Sequence, residues 1–414
     1  MKQKEVVIYS PYLGTRSHAE SYTWPACDVL AQRGRFKPIV VSCGAPSGTR
    51  KAGYEIVTFP LDYSTQDADR YLRFGPLAVP LRGISRVIMG WAALRQLRRF
   101  LTARPSVDLV HFLDYEYLTL SRFINASPSG DPKLIVTVHQ SDYSRQEKSW
   151  RSVYKRMVKA RFREALSRCS GIIVHGDFIK DRLVSELQPT APIYVAQYPQ
   201  GNLETRIDKA EARRRLGIPE HEKVSLVFGL LRVDKRPDIA IQACGSSASK
   251  PYVIVAGNPW TVSAEQIHEW IDRAGLRERS RLDLRWLNDQ EILLYYSAAD
   301  LLLSTHEPGF VSQSGPLSMC RAFRLPAVVA DTGEIGDYVR RSGVGLLAHA
   351  GDSRSFAQEI DRFFEQEATR HGIFEALEKA AQTYSWDHFV DQWEACYTAC
   401  LDPDVVERSA KVQA

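Results

Sequence analysis

No stretch of this 414-residue chain approaches the roughly 20 apolar residues that a membrane-spanning helix needs, so no span is expected. The apolar run near its start, Glu5-Val6-Val7-Ile8-Tyr9-Ser10, is short and strand-like. A secretory signal needs a longer apolar core and a small-residue cleavage site. The expected location is therefore the cytoplasm. The chain also lacks any CxxC pair. Its seven cysteines (Cys27, Cys43, Cys169, Cys244, Cys320, Cys396 and Cys400) are scattered and odd in number. That argues against a disulfide framework and for free buried thiols in a reducing compartment. Neither sign of charge dominates: a net charge of +5 permits an anionic partner but names none. Internal repeats and low-complexity tracts are missing. No His/Cys/Asp cluster has metal-ligand spacing, and the one DxD string, Asp67-Ala68-Asp69, sits in a polar loop. No metal and no other cofactor are expected. No nucleic-acid-binding module is recognisable, so nucleic acid is not an expected partner.

What is present is an ordinary globular composition, 44% hydrophobic and 25% charged, at a length suited to two domains. Short β-branched runs alternate with helix-length amphipathic stretches. Strands are expected over 5–10, 38–43, 55–60, 108–113, 133–139, 171–175 and 193–197. A second set is expected over 224–230, 252–256, 282–287, 300–304, 326–330 and 344–348. Runs such as Leu134-Ile135-Val136 and Val253-Ile254-Val255 are apolar without a break, as in strands covered on both faces of a parallel sheet. Two Rossmann-like, doubly wound α/β domains facing across a cleft follow from this alternation. The break falls near Pro199-Gln200-Gly201-Asn202. The expected domains are 1–200 and 201–385, with a closing helix over 386–402 that returns to the first. The last dozen residues look polar and frayed.

Two segments carry candidate chemistry. In Phe228-Gly229-Leu230-Leu231-Arg232-Val233-Asp234-Lys235-Arg236-Pro237, a strand ends at a glycine and a helix starts near the proline. Gly229 allows close backbone approach to a ligand. Arg232 and Lys235 lie just beyond the strand end, with the fork and the point charge that suit a diphosphate. An exposed basic loop would look the same. In the second segment, Thr305-His306-Glu307-Pro308-Gly309-Phe310-Val311-Ser312-Gln313-Ser314-Gly315-Pro316, small polar residues precede a helix. Ser312, Gln313, Ser314 and Gly315 would there form an anion site at a helix start, or Ser312 or Ser314 would simply cap it. Both segments follow strands of one domain, which strengthens each.

These motifs resemble the catalytic domain of retaining GT-B glycosyltransferases of family 4 (glycosyl transferases group 1). Gly229-Leu230-Leu231-Arg232-Val233-Asp234-Lys235 matches the family's Gly-x-x-Arg-x-x-Lys segment. Ser312-Gln313-Ser314-Gly315, followed by Leu325-Pro326-Ala327-Val328-Val329-Ala330, resembles a sub-branch of it. Asp331-Thr332-Gly333-Glu334-Ile335-Gly336-Asp337, Pro199-Gln200-Gly201-Asn202 and Ser385-Trp386 resemble further family segments. Val311 and Met319 stand where the common pattern has two glutamates, and Arg324 stands where it has a glycine. The resemblance is motif-specific over roughly 195–400 and one of element order before that. It implies that His139, after Val136-Thr137-Val138, faces the donor sugar. It also implies that the Gly14, Thr15, Arg16 and His18 loop contributes acceptor or cleft contacts, with a single glycine where the family has two. His175 at the next strand end reads as a strand cap, and Asp114 and Glu116 read as a solvated loop.

The expected activity is then transfer of a sugar, with retention, from a UDP- or GDP-sugar to a saccharide or lipid-linked saccharide acceptor in surface-glycan or exopolysaccharide synthesis. The diphosphate would be neutralised by Arg232 and Lys235 without metal. Two alternatives are a catalytically degenerate GT-B subunit that binds nucleotide or a partner, and a sugar-nucleotide epimerase. Apolar residues at helical spacing within 82–104 (Ile84, Val87, Ile88, Trp91, Leu94, Leu101), accompanied by six arginines, fit either a peripheral contact with the inner membrane face or a core-facing stripe. The similar helix over 150–168 is expected to face the core.

Overall fold

The computed structural model describes residues 3–13, 19–44, 53–61, 78–127, 132–139, 150–199 and 207–402. Gly14, Thr15, Arg16, His18, the Asp67-Ala68-Asp69 string, Gly201-Asn202 and the last dozen residues lie outside them. The chain divides into two compact units, 1–197 with 386–414, and 198–385.

The first unit is built on a seven-stranded sheet of order β3-β2-β1-β4-β5-β6-β7. Its strands are β1 (Lys4–Tyr9), β2 (Phe36–Ser42), β3 (Glu55–Thr58), β4 (Val107–Phe112), β5 (Lys133–Val138), β6 (Gly171–Val174) and β7 (Ile193–Val195). The second unit has a six-stranded sheet of order β10-β9-β8-β11-β12-β13. It comprises β8 (Val224–Phe228), β9 (Tyr252–Ala256), β10 (Ser280–Asp283), β11 (Leu301–Ser304), β12 (Ala327–Ala330) and β13 (Gly345–Ala348). Every ladder in both sheets is parallel, so each strand is joined to the next by a crossover that returns over the sheet. Burial on both faces is why the central strands read as unbroken apolar runs. Val6, Val7, Ile8, Leu226, Val253, Ile254 and Val255 are buried, and each such side chain contributes about 1.5–3 kcal/mol.

In both sheets the strand order reverses once, between β1 and β4 and between β8 and β11. At such a reversal the two flanking connections leave in opposite directions, which opens a crevice beyond the carboxyl ends of the strands.

The helix Trp386–Leu401 belongs to the first unit, although it follows the second in sequence. Phe389, Val390, Trp393 and Tyr397 on it are fully buried. Tyr397 Oη lies 2.7 Å from His111 Nδ1, and Thr137 Oγ1 lies 2.7 Å from the other ring nitrogen. Arg33 adds ion pairs to Asp387, Asp391 and Glu394. Gly171 permits the close approach: a β-carbon there would meet Cys396 Sγ at 2.7 Å. All seven cysteines are free and buried. No helix among the described residues is long and apolar enough to cross a membrane.

Candidate functional site

In the second unit, the two segments singled out in the sequence meet at the β8/β11 reversal. β8 ends at Phe228, and Gly229 follows with φ +107°. A β-carbon there would lie 3.1 Å from Lys235 Nζ and 3.3 Å from Pro316 Cγ, so side chains from both segments close on this glycine. Leu231 N donates to Asn258 O (2.9 Å), and a single tight turn over Val233–Lys235 follows. It ends at Arg236, whose positive φ breaks the turn before Pro237 opens the next helix. Thr305 Oγ1 bonds to the carbonyls of Lys235 and Arg236, and Glu307 N donates to Asp234 O. These bonds staple the loop after β11 to the loop after β8.

Arg232 and Lys235 have different surroundings. Arg232 forks onto Asp234, Nε to Oδ1 at 2.9 Å and Nη2 to Oδ2 at 2.6 Å, and stays partly exposed. Lys235 is half-buried, and its Nζ has no hydrogen-bond or ion-pair partner among the described residues. Burial, reinforced by Arg232, pushes its ammonium down to about 8. Asp234 offsets this in part, and an anion joining the ammonium would offset it further.

The second segment supplies the opposite wall. The helix Gly315–Phe323 starts with Ser314 as its N-cap residue and Pro316 in the first turn. Ser314 does not cap it: the hydroxyl is buried and has no partner. Ser314 and Pro316 line the same small cavity as Lys235, which brings the positive end of this helix dipole to that space. Gln313 reaches Glu334 at 3.4 Å, and Glu334 is itself buried at the start of the helix Gly333–Ser342. Val311 is buried and Met319 half-buried. His306, which the sequence left without a role, is 3% exposed; its ring packs on Phe310 with centroids 4.1 Å apart. Burial, together with Lys235 and Arg232, pushes its imidazole down to about 3. A cavity of about 20 Å³ is lined by Phe228, Lys235, His306, Ser314 and Pro316 among others. A larger one, about 560 Å³, opens at the amino-terminal edge of the same sheet, beside Lys223, Asp300 and Arg370.

In the first unit, His139 follows β5 at the carboxyl edge. Its Nε2 lies 2.7 Å from Leu113 O and 3.2 Å from Tyr22 Oη, and its Nδ1 lies 3.1 Å from His175 Nε2. His175 Nδ1 faces Ala196 O at 3.0 Å. His175 is thus more than a strand cap: it fixes the ring of His139. Asp114 accepts from Ser10 Oγ (2.6 Å) and Tyr22 Oη (3.1 Å) and stands 3.8 Å from His139 Nε2. The expectation of a solvated loop at Asp114 and Glu116 is corrected. Glu116 is buried and accepts from Leu118 N and Thr119 N as the cap of the helix Tyr117–Asn125. Tyr22 carries no motif signal; only the fold brings it to Asp114. Among the described residues, no group of three or more His, Cys, Asp or Glu side chains is placed to hold a metal.

Comparison with known proteins fits this geometry. Residues 18–197 match the model of Glycosyltransferase Family 4, and residues 208–380 match that of Glycosyl transferases group 1. The chain is 27% identical over 207 residues to a D-inositol 3-phosphate glycosyltransferase from Corynebacterium aurimucosum, covering 48% of each chain. It thus spans about half the length of the curated relatives it matches. Among solved structures it resembles a sucrose-phosphate synthase from Thermosynechococcus elongatus (TM-score 0.73, 15% identity, 95% of this chain and 98% of that one). It also resembles HepE from Anabaena in complex with UDP (TM-score 0.69, 15% identity, 96% of this chain and 100% of that one). Both structural likenesses concern the fold.

Proposed function

The chain belongs to the group 1, family 4 glycosyltransferases of GT-B fold, and from that premise we propose that it transfers a sugar, with retention, from a nucleoside-diphosphate sugar to a saccharide or lipid-linked saccharide. The observation that carries this reading is Lys235: a half-buried cation without a partner among the described residues, at the strand-order reversal where ligands bind. Cleavage of the sugar–phosphate bond leaves negative charge on the departing diphosphate. Lys235, Arg232 and the amides near Ser312 to Gly315 are the groups assigned to stabilise it. Donors fixed in advance around a developing charge are usually the largest catalytic term. Arg232 would then share its fork between Asp234 and the phosphates. The role assigned to His139 is a hydrogen bond to the transferred sugar, not that of a base. The UDP named with the HepE structure and the inositol phosphate named with the corynebacterial relative indicate which ligands to try first.

A thermal-shift panel with UDP, GDP, ADP and TDP tests the donor side. One nucleotide at 100 times its dissociation constant should stabilise the second unit by about 2.7 kcal/mol. A flat response across the panel would contradict the proposal. Val311 and Met319, in place of two family glutamates, favour a second reading, a nucleotide-binding subunit without turnover. Product formation from the stabilising nucleotide's sugars separates the two.

We further assign membrane contact to the helix Ala78–Thr102. It carries two stripes. Ala93, Leu94 and Leu97 are buried, whereas Leu81, Ile84, Ile88 and Trp91 lie in one line on the outside, Ile84 and Ile88 being 57% and 61% exposed. Arginines flank this outer line, and Arg122 covers the Trp91 ring at 4.7 Å. An apolar line bordered by cations suits an anionic lipid surface. Ile88→Glu should abolish co-flotation with phosphatidylserine-containing liposomes at low salt and leave the fold unchanged, since the side chain is already exposed. A wild-type protein that stays at the bottom of the gradient contradicts the assignment.

A further inference from the structure

We infer that His306 is the acceptor that recognises a hydroxyl of the donor's transferred sugar, through a buried Nε2 that has no partner within the chain. The inference rests on the nucleotide-sugar reading given above.

Three observations carry it. First, Nε2 of His306 and Oγ of Ser314 are both buried and both without a hydrogen-bond partner among the described residues, and both residues line the same small cavity as Lys235. Buried polar side chains are nearly always paired. Two orphans around one space mark a place where the partner comes with a ligand. Second, the space is about 20 Å³, room for about one water-sized group, which is the size of a hydroxyl. Third, the ring is oriented by its other nitrogen. Nδ1 lies 3.1 Å from Ser304 Oγ, and the Ser304 backbone also favours a hydrogen on the ring. Its tilted packing against Phe310, with the ring planes 38° apart, restrains its orientation.

The electrostatics then select the ligand group. Burial, reinforced by Lys235 and Arg232, keeps the imidazole neutral, and a neutral imidazole has one donor and one acceptor nitrogen. With the hydrogen on Nδ1, the lone pair sits on Nε2. A lone pair repels a phosphoryl oxygen and accepts from a hydroxyl. In a nucleoside-diphosphate sugar the group bonded to the terminal phosphate is the transferred sugar. The diphosphate belongs to Lys235, and the adjoining hydroxyl to His306. Ser314 Oγ, both donor and acceptor, completes the cradle from the helix start.

The test is a comparison of dissociation constants, by isothermal titration, for UDP against UDP-glucose and for GDP against GDP-mannose. The proteins are the wild type, His306→Phe and His306→Gln. Phe keeps the ring packing against Phe310 and removes the acceptor. Gln restores an acceptor oxygen at a similar reach. The expected result is that His306→Phe binds the bare nucleotide within about twofold of wild type but weakens the nucleotide-sugar by roughly tenfold to hundredfold. His306→Gln should recover most of that loss. Equal weakening of nucleotide and nucleotide-sugar would overturn the inference, as would no change in either, the latter meaning that a water fills the cavity. If both variants unfold, the ring is a packing element and the inference falls. A wild type that binds neither nucleotide rejects the donor-site reading itself, which distinguishes that failure from a failure of His306 alone.

Discussion

Lys235→Met should lower turnover by about 10²- to 10³-fold and, in the same protein, raise the thermal midpoint at neutral pH. Removing one fixed donor from a developing anion has that kinetic effect in water-poor sites, and the Lys235 ammonium, beside Gly229 at the end of β8, has no partner among the described residues. The gain in stability follows from the desolvation of that ammonium. The ammonium drops from 10.5 to about 8 on folding, which corresponds to a penalty on the order of 3 kcal/mol for keeping it charged. The sign follows from proton counting. Between about 8 and 10.5 the unfolded chain holds the proton more firmly than the folded one, so stability rises with pH across that window. Below 8 both states are protonated and the penalty is complete. Met keeps most of the apolar stem and removes the charge, so the penalty disappears. Two measurements check this: single-turnover rates with the active donor, and circular-dichroism melts at pH 7. The wild-type kcat/KM should also fall above about pH 8, as the free protein loses this proton, and the variant should lack that limb. Wild-type turnover in the variant, or a lower melting point, would remove Lys235 from the phosphate site.

The fold was largely legible because both sheets are parallel and buried. Nearly all the strands among the described residues coincide with short apolar runs, β-branched in most and leucine-rich in β11 and β13. The one clear displacement, 282–287 expected against Ser280–Asp283 observed, lies on the sheet-edge strand β10. There Arg281 pairs with Asp283 and the strand is only half-buried, so Leu284, Trp286 and Leu287 beyond its end gave the stronger apolar signal. The helix Ala78–Thr102 shows the limit of periodicity. A 3.6-residue pattern fixes a stripe but not what it faces, and here one stripe turns inward and another outward. At the candidate site, the convergence of the Gly229–Lys235 and Ser312–Gly315 segments could be expected from their place after strands of one sheet. The pairing of Arg232 with Asp234 was not, because a sequence does not say which of two adjacent charges turns to the other. Asp114, Glu116, Tyr22 and His175 were misread or missed for a related reason. Their roles come from capping a helix or from contacts across the sheet edge. His306 stands in the motif string, yet nothing local marks it; its meaning comes from burial beside Lys235.

Acidification should destabilise both units through one buried histidine in each. His111, fully buried between Tyr397 and Thr137, and His306, beside Lys235, both fall from 6.5 to about 3. Desolvation is the leading cause in each case; His139 and His175 add to it for His111, as Lys235 and Arg232 do for His306. A depressed histidine does not affect stability above pH 6.5, where it is neutral in both states. Below that, the unfolded chain takes up a proton that the folded chain refuses until about pH 3, so stability falls with pH by about 1.4 kcal/mol per unit for each ring. Between pH 6.5 and 5 this amounts to about 2 kcal/mol per unit of the fold, before most carboxylates titrate. For His111 the cost falls on the contact that holds the helix Trp386–Leu401 to β4, so that helix should open first on that side. Hydrogen exchange followed by peptide mass analysis at pH 7 and pH 5 reports the two units separately. His111→Gln keeps hydrogen-bonding groups near Tyr397 and Thr137 but does not titrate. It should flatten the pH dependence of protection in the Trp386–Leu401 helix and leave that of the second unit as steep as before. Equal slopes for wild type and variant in that helix would show that its acid sensitivity comes from other groups.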